Sequence, residues 1–160
     1  MSTKADFNAD QWDLLRTAPM MAAVLVMTAS PSGPVGLVQE SSAVARLILE
    51  ASNTAQTPLL KSLADDMKTS IPMTKIPPGA APNTVQEAAI EILRRASGLL
   101  GDKATPEEAT EIRQWLTKVA QVTAEAAKEG GFMGIGGTLV SDQEKAAIAR
   151  VESTLGSAAA

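Results

Sequence analysis

Apolar residues along this chain recur mostly every three or four positions, the spacing that predicts amphipathic α-helices. The longest such stripe follows Asn83 and comprises Val85, Ala88, Ala89, Ile92, Leu93, Ala96, Leu99 and Leu100. Later stripes comprise Ile112, Trp115, Leu116, Val119 and Ala126, and then Ala147, Ile148, Val151 and Leu155. No convincing strand pattern accompanies them. The chain therefore predicts an all-α fold, a single compact bundle of about six or seven helices.

Capping signals predict where several of these helices begin. In a capping box, the cap side chain and a residue three positions later bond to each other's backbone N–H. Four pairs have this spacing: Asn8 with Gln11, Asn83 with Gln86, Thr105 with Glu108, and Ser141 with Glu144. A further helix is expected to follow Thr57, with Pro58 at its first position, and to bury Leu59, Leu60, Leu63, Ala64 and Met67.

The first apolar run has no polar face. Residues 20–27 contain only methionine, alanine, valine and leucine, a pattern that predicts a buried helix. We expect the helix from Pro19 to Ala29 to be the central one, with a kink or a restart at Pro19. The uncharged interval 17–39 spans 23 residues, but Pro31, Gly33 and Pro34 interrupt it, so a buried helix is favoured over a membrane span.

The next helix is expected to start at Pro34 and to end near Asn53. Its predicted inward stripe is Leu37, Ser41, Val44, Ala45 and Ile48. A segment over 70–82 holds four prolines and a glycine, which predicts an extended surface connection. Five glycines within 130–137 predict a loop before the last helix. We interpret the whole range 1–160 as one helical domain.

The amino-acid composition excludes several kinds of catalytic and metal-binding site. The chain has 28 alanines, four aromatic residues, and no cysteine, histidine or tyrosine. These absences exclude disulfides, thiolate zinc sites and histidine-based catalysis or metal binding. Asp65 and Asp66 are adjacent, so on a helix their side chains point about 100° apart and cannot share a substrate. We therefore predict no catalytic residue, no metal site, no cofactor, and a protein that is not an enzyme.

The distribution of charged residues bears on which partners the protein binds and on its cellular compartment. The net charge of −4 argues against nucleic acid, which is bound by clustered lysine and arginine. Asp6, Asp10 and Asp13 precede the first apolar run, in contrast to the basic start of a secretory signal. We therefore expect a cytoplasmic protein.

The glycine-rich loop 130–137 surrounds Phe132, Met133 and Ile135 with glycines. Three interpretations are open. The loop could be a structural linker whose apolar residues pack against the end of the bundle, or an exposed loop that binds a partner or a lipid surface. It could also be a phosphate cradle, a glycine loop that binds phosphate at a helix N-terminus. The cradle is disfavoured because the loop follows a helix and lacks a Lys-Ser/Thr ending. If a partner-binding site exists here, Phe132, Met133 and Ile135 are its predicted residues.

The C-terminal region carries a resemblance. Residues 127–156, with the Gly-Gly-Phe-Met-Gly-Ile-Gly-Gly run, Val140-Ser141, Glu144-Lys145 and Leu155-Gly156, resemble the tail of small bacterial helical proteins. The Val-Ser-x-x-Glu helix start is also similar to the repeat unit of the tellurite-resistance TerB-like fold. That resemblance implies an all-helical domain associated with stress and membrane-linked complexes. Gly136-Gly137 replaces the acidic Ala-Asp-Gly turn of TerB-like repeats, so no functional residue is transferred.

The sequence thus favours a non-enzymatic bacterial interaction or scaffold protein, self-associating or stress-related, that binds a protein partner or forms a homo-oligomer. Two alternatives stay open. One is a peripheral membrane or lipid-associated protein that uses the glycine-rich loop, although only Lys128 and Lys145 lie near that loop to face anionic lipid. The other is a helical bundle that encloses an apolar ligand.

Overall fold

The computed structural model describes residues 1–30, 33–72, 76–129 and 140–157. Across these ranges the chain forms a short 3-10 turn at Lys4–Asp6 and six α-helices, without strands. The helices are α1 (Ala9–Ala29), α2 (Gly33–Thr54), α3 (Pro58–Thr69), α4 (Pro82–Lys103), α5 (Pro106–Glu129) and α6 (Asp142–Ser157). The predicted all-α bundle is therefore confirmed.

Helix α1 is the centre of the bundle. It packs against each of the other five helices, and Met21 and Leu25 have no exposed surface. The helix continues through Pro19, so of the predicted kink or restart, the restart is wrong. Proline removes one backbone hydrogen bond, but Ala18, Pro19 and Met21 all lie in the core. Burial on both sides of the proline keeps the two halves in one helix.

The capping pairs behave as predicted at most helix starts. Asn8 Oδ1 accepts the Gln11 N–H at 2.9 Å, and the Phe7 and Trp12 rings meet with centroids 5.7 Å apart, as a hydrophobic staple requires. Equivalent boxes are present at Thr105 with Glu108 and at Ser141 with Glu144, and the Thr57 hydroxyl caps α3. Local sequence therefore determines where these helices begin.

Helix α4 begins earlier than expected. Its cap is Ala81, which makes no side-chain capping bond, and Pro82 occupies the first turn. The predicted start at Asn83 is therefore wrong by one to two residues, because proline is already suited to the first helical position. The described parts of the 70–82 connection before Pro82 contain no helix or strand, in agreement with the prediction.

Helix α2 presents a different face to the core from the one predicted. Val44 and Ile48 are buried as expected, but Leu37, Ser41 and Ala45 are exposed. The inward positions are instead Glu40, Ala43, Val44, Leu47, Ile48, Ala51 and Ser52. Packing against α3 and α5 decides this orientation, and it leaves a second set of apolar residues facing outward.

A buried polar contact joins the C-terminal half. Ser97 on α4 is fully buried, donates to the Leu155 carbonyl of α6 at 2.8 Å, and accepts from Arg113 Nε of α5 at 2.9 Å. Arg113 also donates to the Ser97 carbonyl at 2.9 Å. Three helices distant in sequence are therefore held in one register by a single serine.

Candidate functional site

The adjacent carboxylates Asp65 and Asp66 face different helices. Asp65 accepts the Ser52 hydroxyl of α2 at 2.6 Å and the Lys68 ammonium at 2.7 Å. Asp66 accepts the Trp12 indole N–H of α1 at 2.8 Å and is paired with Lys4. These bonds hold the pKa of both carboxyls below their usual value, from Lys68 and Ser52 for Asp65, and from Lys4 and Trp12 for Asp66. Asp65 therefore joins α3 to α2, and Asp66 joins α3 to α1. The two carboxylates do not form one site.

The lysines beside hydroxyl residues on α3 are also engaged in structural contacts. Lys61 donates to the Ser52 carbonyl at 2.8 Å, and Lys68 donates to the Ser52 hydroxyl at 2.7 Å. A lysine that activates a hydroxyl nucleophile must instead accept its proton. Both lysines are ion-paired with Asp65, so the arrangement joins α2 to α3. The described residues contain no group of three acidic side chains that could hold a metal ion.

An open cavity of about 410 Å³ lies where the α2–α3 connection meets the start of α5. Glu111 lines this cavity. Its carboxylate accepts the Gln56 N–H at 2.6 Å and the Thr57 N–H at 3.0 Å. These hydrogen bonds from the backbone to Glu111 join the start of α3 to α5. The carboxylate is committed to that contact rather than offered to a ligand.

Trp115 lies on the other side of Glu111. Its side chain is buried and lines a small cavity of about 70 Å³ between α2, α3 and α5. Among the described residues, its indole N–H is a buried donor without a hydrogen-bond partner. A cavity of this size has room for a water molecule.

The outward face of α2 is the most unusual surface in the described part of the chain. Leu37, Val38 and Leu49 are 51%, 67% and 53% exposed, respectively. Ser41, Ser42 and Ala45 lie between them along the helix and are also exposed. Single exposed apolar residues are common on soluble proteins, whereas several on one helix face indicate an interaction surface.

Four of these positions form one row along the helix. Leu37, Ser41, Ala45 and Leu49 are each four residues apart, so the row turns by about 40° at each step and by about 120° from Leu37 to Leu49. We call this row the α2 ridge. It carries no ionisable side chain, and its two leucines are separated by about 18 Å along the helix axis. Val38 follows Leu37 in sequence but points about 100° away from it, on the same side of the helix as Ala45 and Leu49.

Charged residues of both signs border the ridge on the side of α5. Arg46, Glu50, Lys118 and Glu125 line a groove of about 320 Å³ between α2 and α5. Glu50 and Lys118 form an ion pair at 2.8 Å across this groove. An apolar strip beside a mixed polar rim is the usual arrangement of a protein–protein interface.

The predicted interaction residues Phe132, Met133 and Ile135 lie outside the described residues, so that prediction stays a prediction. The residues that sequence reasoning missed are Leu37, Val38 and Leu49 as exposed groups. A signal for them exists, because the apolar residues of α2 span more of the helix circumference than one inward stripe needs. Leu37 lies on the side of the buried Val44 and Ile48, as predicted, but it is 51% exposed. Leu49 fell outside the predicted stripe.

None of the helices in the described ranges is both long and apolar enough to cross a membrane. No protein-family model, curated protein or solved structure matches this chain.

Proposed function

We propose that this chain is a non-enzymatic protein-interaction module that binds a polypeptide partner through the outward face of α2. The observation that carries the proposal is the exposure of Val38 and Leu49 on the side of α2 opposite the buried Leu47. Burying such side chains against a partner is favourable by about 25 cal/mol for each Å² of apolar surface. In the free protein this apolar surface remains in contact with water, so the free energy of burial becomes available only when a partner binds.

The polar side chains elsewhere support a role without catalysis. Asp65, Asp66, Glu108 and Glu111 each accept hydrogen bonds that cap or join helices. Burial opposes ionisation of Glu108, yet hydrogen bonds from Thr105 and Ser2 outweigh it and lower the pKa of that carboxyl. A carboxyl with a lowered pKa is a poor proton donor at neutral pH, unlike the raised carboxyl of a general acid.

A protein partner is favoured over a lipid surface because of the rim. Surface helices that bind anionic membranes carry lysine and arginine on the polar side of their apolar face. The rim beside the α2 ridge has two acids, Glu50 and Glu125, for its two bases, Arg46 and Lys118. Balanced charges of both signs suit oriented pairing with another protein surface.

The test is native mass spectrometry of the protein purified from its own host, in wild-type form and as Leu49→Glu. We expect the wild-type protein to carry an added polypeptide mass that Leu49→Glu loses, because a new carboxylate would be buried in the interface. Ser153→Glu is the matched control, since Ser153 is exposed on α6, and it should keep the added mass. A bare wild-type monomer, or a lipid mass in place of a polypeptide, would count against the proposal.

A further inference from the structure

We infer that the partner contributes an amphipathic α-helix that lies in the groove between α2 and α5, with an acidic side chain facing Arg46 and a basic one facing Glu125. The inference rests on the proposed function and specifies its partner. It is argued from the shape of the groove, from the backbone of the helices that form it, and from two unpaired charges on its walls.

The groove runs between two antiparallel helices. Glu50 of α2 pairs with Lys118 of α5 at 2.8 Å, whereas Ala43, earlier on α2, lines the groove together with Ala126, later on α5. The groove has a volume of about 320 Å³. Its floor is apolar and comprises Ala43, Leu47, Val122 and Ala126. Because two of these side chains are alanines at one end, the floor leaves room there for larger apolar side chains of a partner.

The backbone of the groove favours a helix as its occupant. Peptide N–H and C=O groups need hydrogen-bond partners when they are buried. Both walls are α-helices, whose backbone groups along the groove bond to one another within each helix, and the described ranges contain no strand edge. An extended segment would therefore find no backbone partner here. A helix satisfies its own backbone and needs only to bury an apolar stripe.

Two opposite charges on the walls are left unpaired. Arg46 on α2 and Glu125 on α5 are both exposed and line the groove, and neither forms an ion pair within the described part of the chain. Measured from the Glu50–Lys118 pair, Arg46 lies about 6 Å and Glu125 about 10.5 Å toward the same end of the groove. The two charges are thus within one helical turn of each other along the groove, so one turn of a bound helix can face both.

The groove adjoins the exposed apolar side of α2. Leu49 lies three positions after Arg46, so the two side chains are neighbours on the helix surface, and Leu49 is 53% exposed. A helix in the groove therefore has Leu49 beside it, beyond the Arg46 wall. Leu49→Glu would place a carboxylate next to the acid that the partner directs at Arg46, which gives a second reason for the loss of the partner.

Three synthetic helical peptides of about 20 residues test this arrangement, all with the same leucine stripe. The first has glutamates along one flank of the stripe and lysines along the other, the second has lysines on both flanks, and the third has glutamates on both. We expect the wild-type protein to bind the mixed peptide with a dissociation constant on the order of 100 µM. The other two should bind about fivefold more weakly, because each faces one wall with a like charge. Titration calorimetry at about 150 mM salt, which screens the net charges, measures all three.

Two substitutions should change the preference in opposite directions. Arg46→Glu makes both walls acidic, so the peptide with lysines on both flanks should become the tightest binder. Glu125→Lys makes both walls basic and should favour the peptide with glutamates on both flanks. Arg150→Glu and Glu152→Lys are the matched controls, because they change the net charge equally at exposed positions on α6. Both controls should keep the preference for the mixed peptide.

The inference is overturned if the wild-type protein binds none of the three peptides up to about 1 mM, or binds all three equally. It is also overturned if Arg46→Glu and Glu125→Lys keep the same preference as their controls. If the peptide experiments fail while host-purified protein still loses another polypeptide on Leu49→Glu substitution, the helix in the groove is rejected and the proposed function stands.

Discussion

At the scale of single residues, the two tryptophans show how hydrogen bonding differs between otherwise similar buried positions. Trp12 and Trp115 are both buried. The Trp12 indole N–H donates to the Asp66 carboxylate at 2.8 Å, whereas the Trp115 indole N–H has no partner among the described residues. A hydrogen bond to a charged group contributes more to stability than a neutral one, and a buried unpaired donor is a cost.

Replacing each tryptophan with phenylalanine therefore has unequal effects. Trp12→Phe and Trp115→Phe remove similar volumes, but only the first removes a hydrogen bond to a carboxylate. We expect Trp12→Phe to lower the free energy of unfolding by about 1–2 kcal/mol more than Trp115→Phe does. Urea denaturation followed by circular dichroism measures both. Equal losses would show that the contact with Asp66 contributes nothing.

The Asp66 carboxyl also makes stability depend on pH. In the folded protein, the hydrogen bonds from Lys4 and Trp12 lower the pKa of Asp66 below its ordinary value of 3.8. Its contribution is therefore present above the unfolded pKa and is lost as the pH falls through the lower, folded pKa. We expect Asp66→Asn to be less stable than wild type at pH 7, with a difference that shrinks below about pH 4. Urea midpoints between pH 7 and pH 2 measure this, with the exposed Asp102→Asn as control. A difference that is constant with pH would argue against the ionised contact.

At the scale of helices, the starts of α1, α3, α5 and α6 could be predicted because their signals are local. A capping residue and its partner lie three positions apart, so no tertiary information is needed to find them. The outward orientation of α2 could not be predicted in this way. That helix has apolar residues on two sides, and contact with α3 and α5 selects which side is buried.

Leu47 and Leu49 test the orientation of α2. They lie two positions apart, but Leu47 is 4% exposed and Leu49 is 53% exposed. We expect Leu47→Ala to lower the free energy of unfolding by about 2–5 kcal/mol, and Leu49→Ala by less than about 1 kcal/mol. Urea denaturation of the two variants at low protein concentration gives the comparison. Similar losses from both would mean that α2 is turned differently in the bundle.

At the scale of the whole molecule, the central position of α1 followed from its apolar run. A helix without a polar face has to be surrounded, and Met21, Ala22 and Ala23 are fully buried. The contacts that fix how the helices sit against one another were not visible in advance. Ser97 meets Arg113 and Leu155 only once α4, α5 and α6 have packed, so neither spacing nor composition indicates that contact.

The same limit applies to the candidate site. Sequence reasoning directed attention to Phe132, Met133 and Ile135, because five glycines around three apolar residues are conspicuous. The α2 ridge attracts no such attention in the sequence, since its exposure is a product of packing. A prediction of protein partnership was therefore reached from the sequence, while the surface proposed for it emerged from the fold.

Sedimentation of the protein purified from its own host tests the role of the outward face of α2 most directly. We predict that the wild-type protein sediments as a complex heavier than the 16.6 kDa monomer, because a polypeptide partner covers Leu49. Leu49→Glu should sediment as the monomer, and Ser153→Glu should behave as wild type. A wild-type protein that sediments at 16.6 kDa would contradict a polypeptide partner on this face. A complex unaffected by Leu49→Glu would contradict it equally.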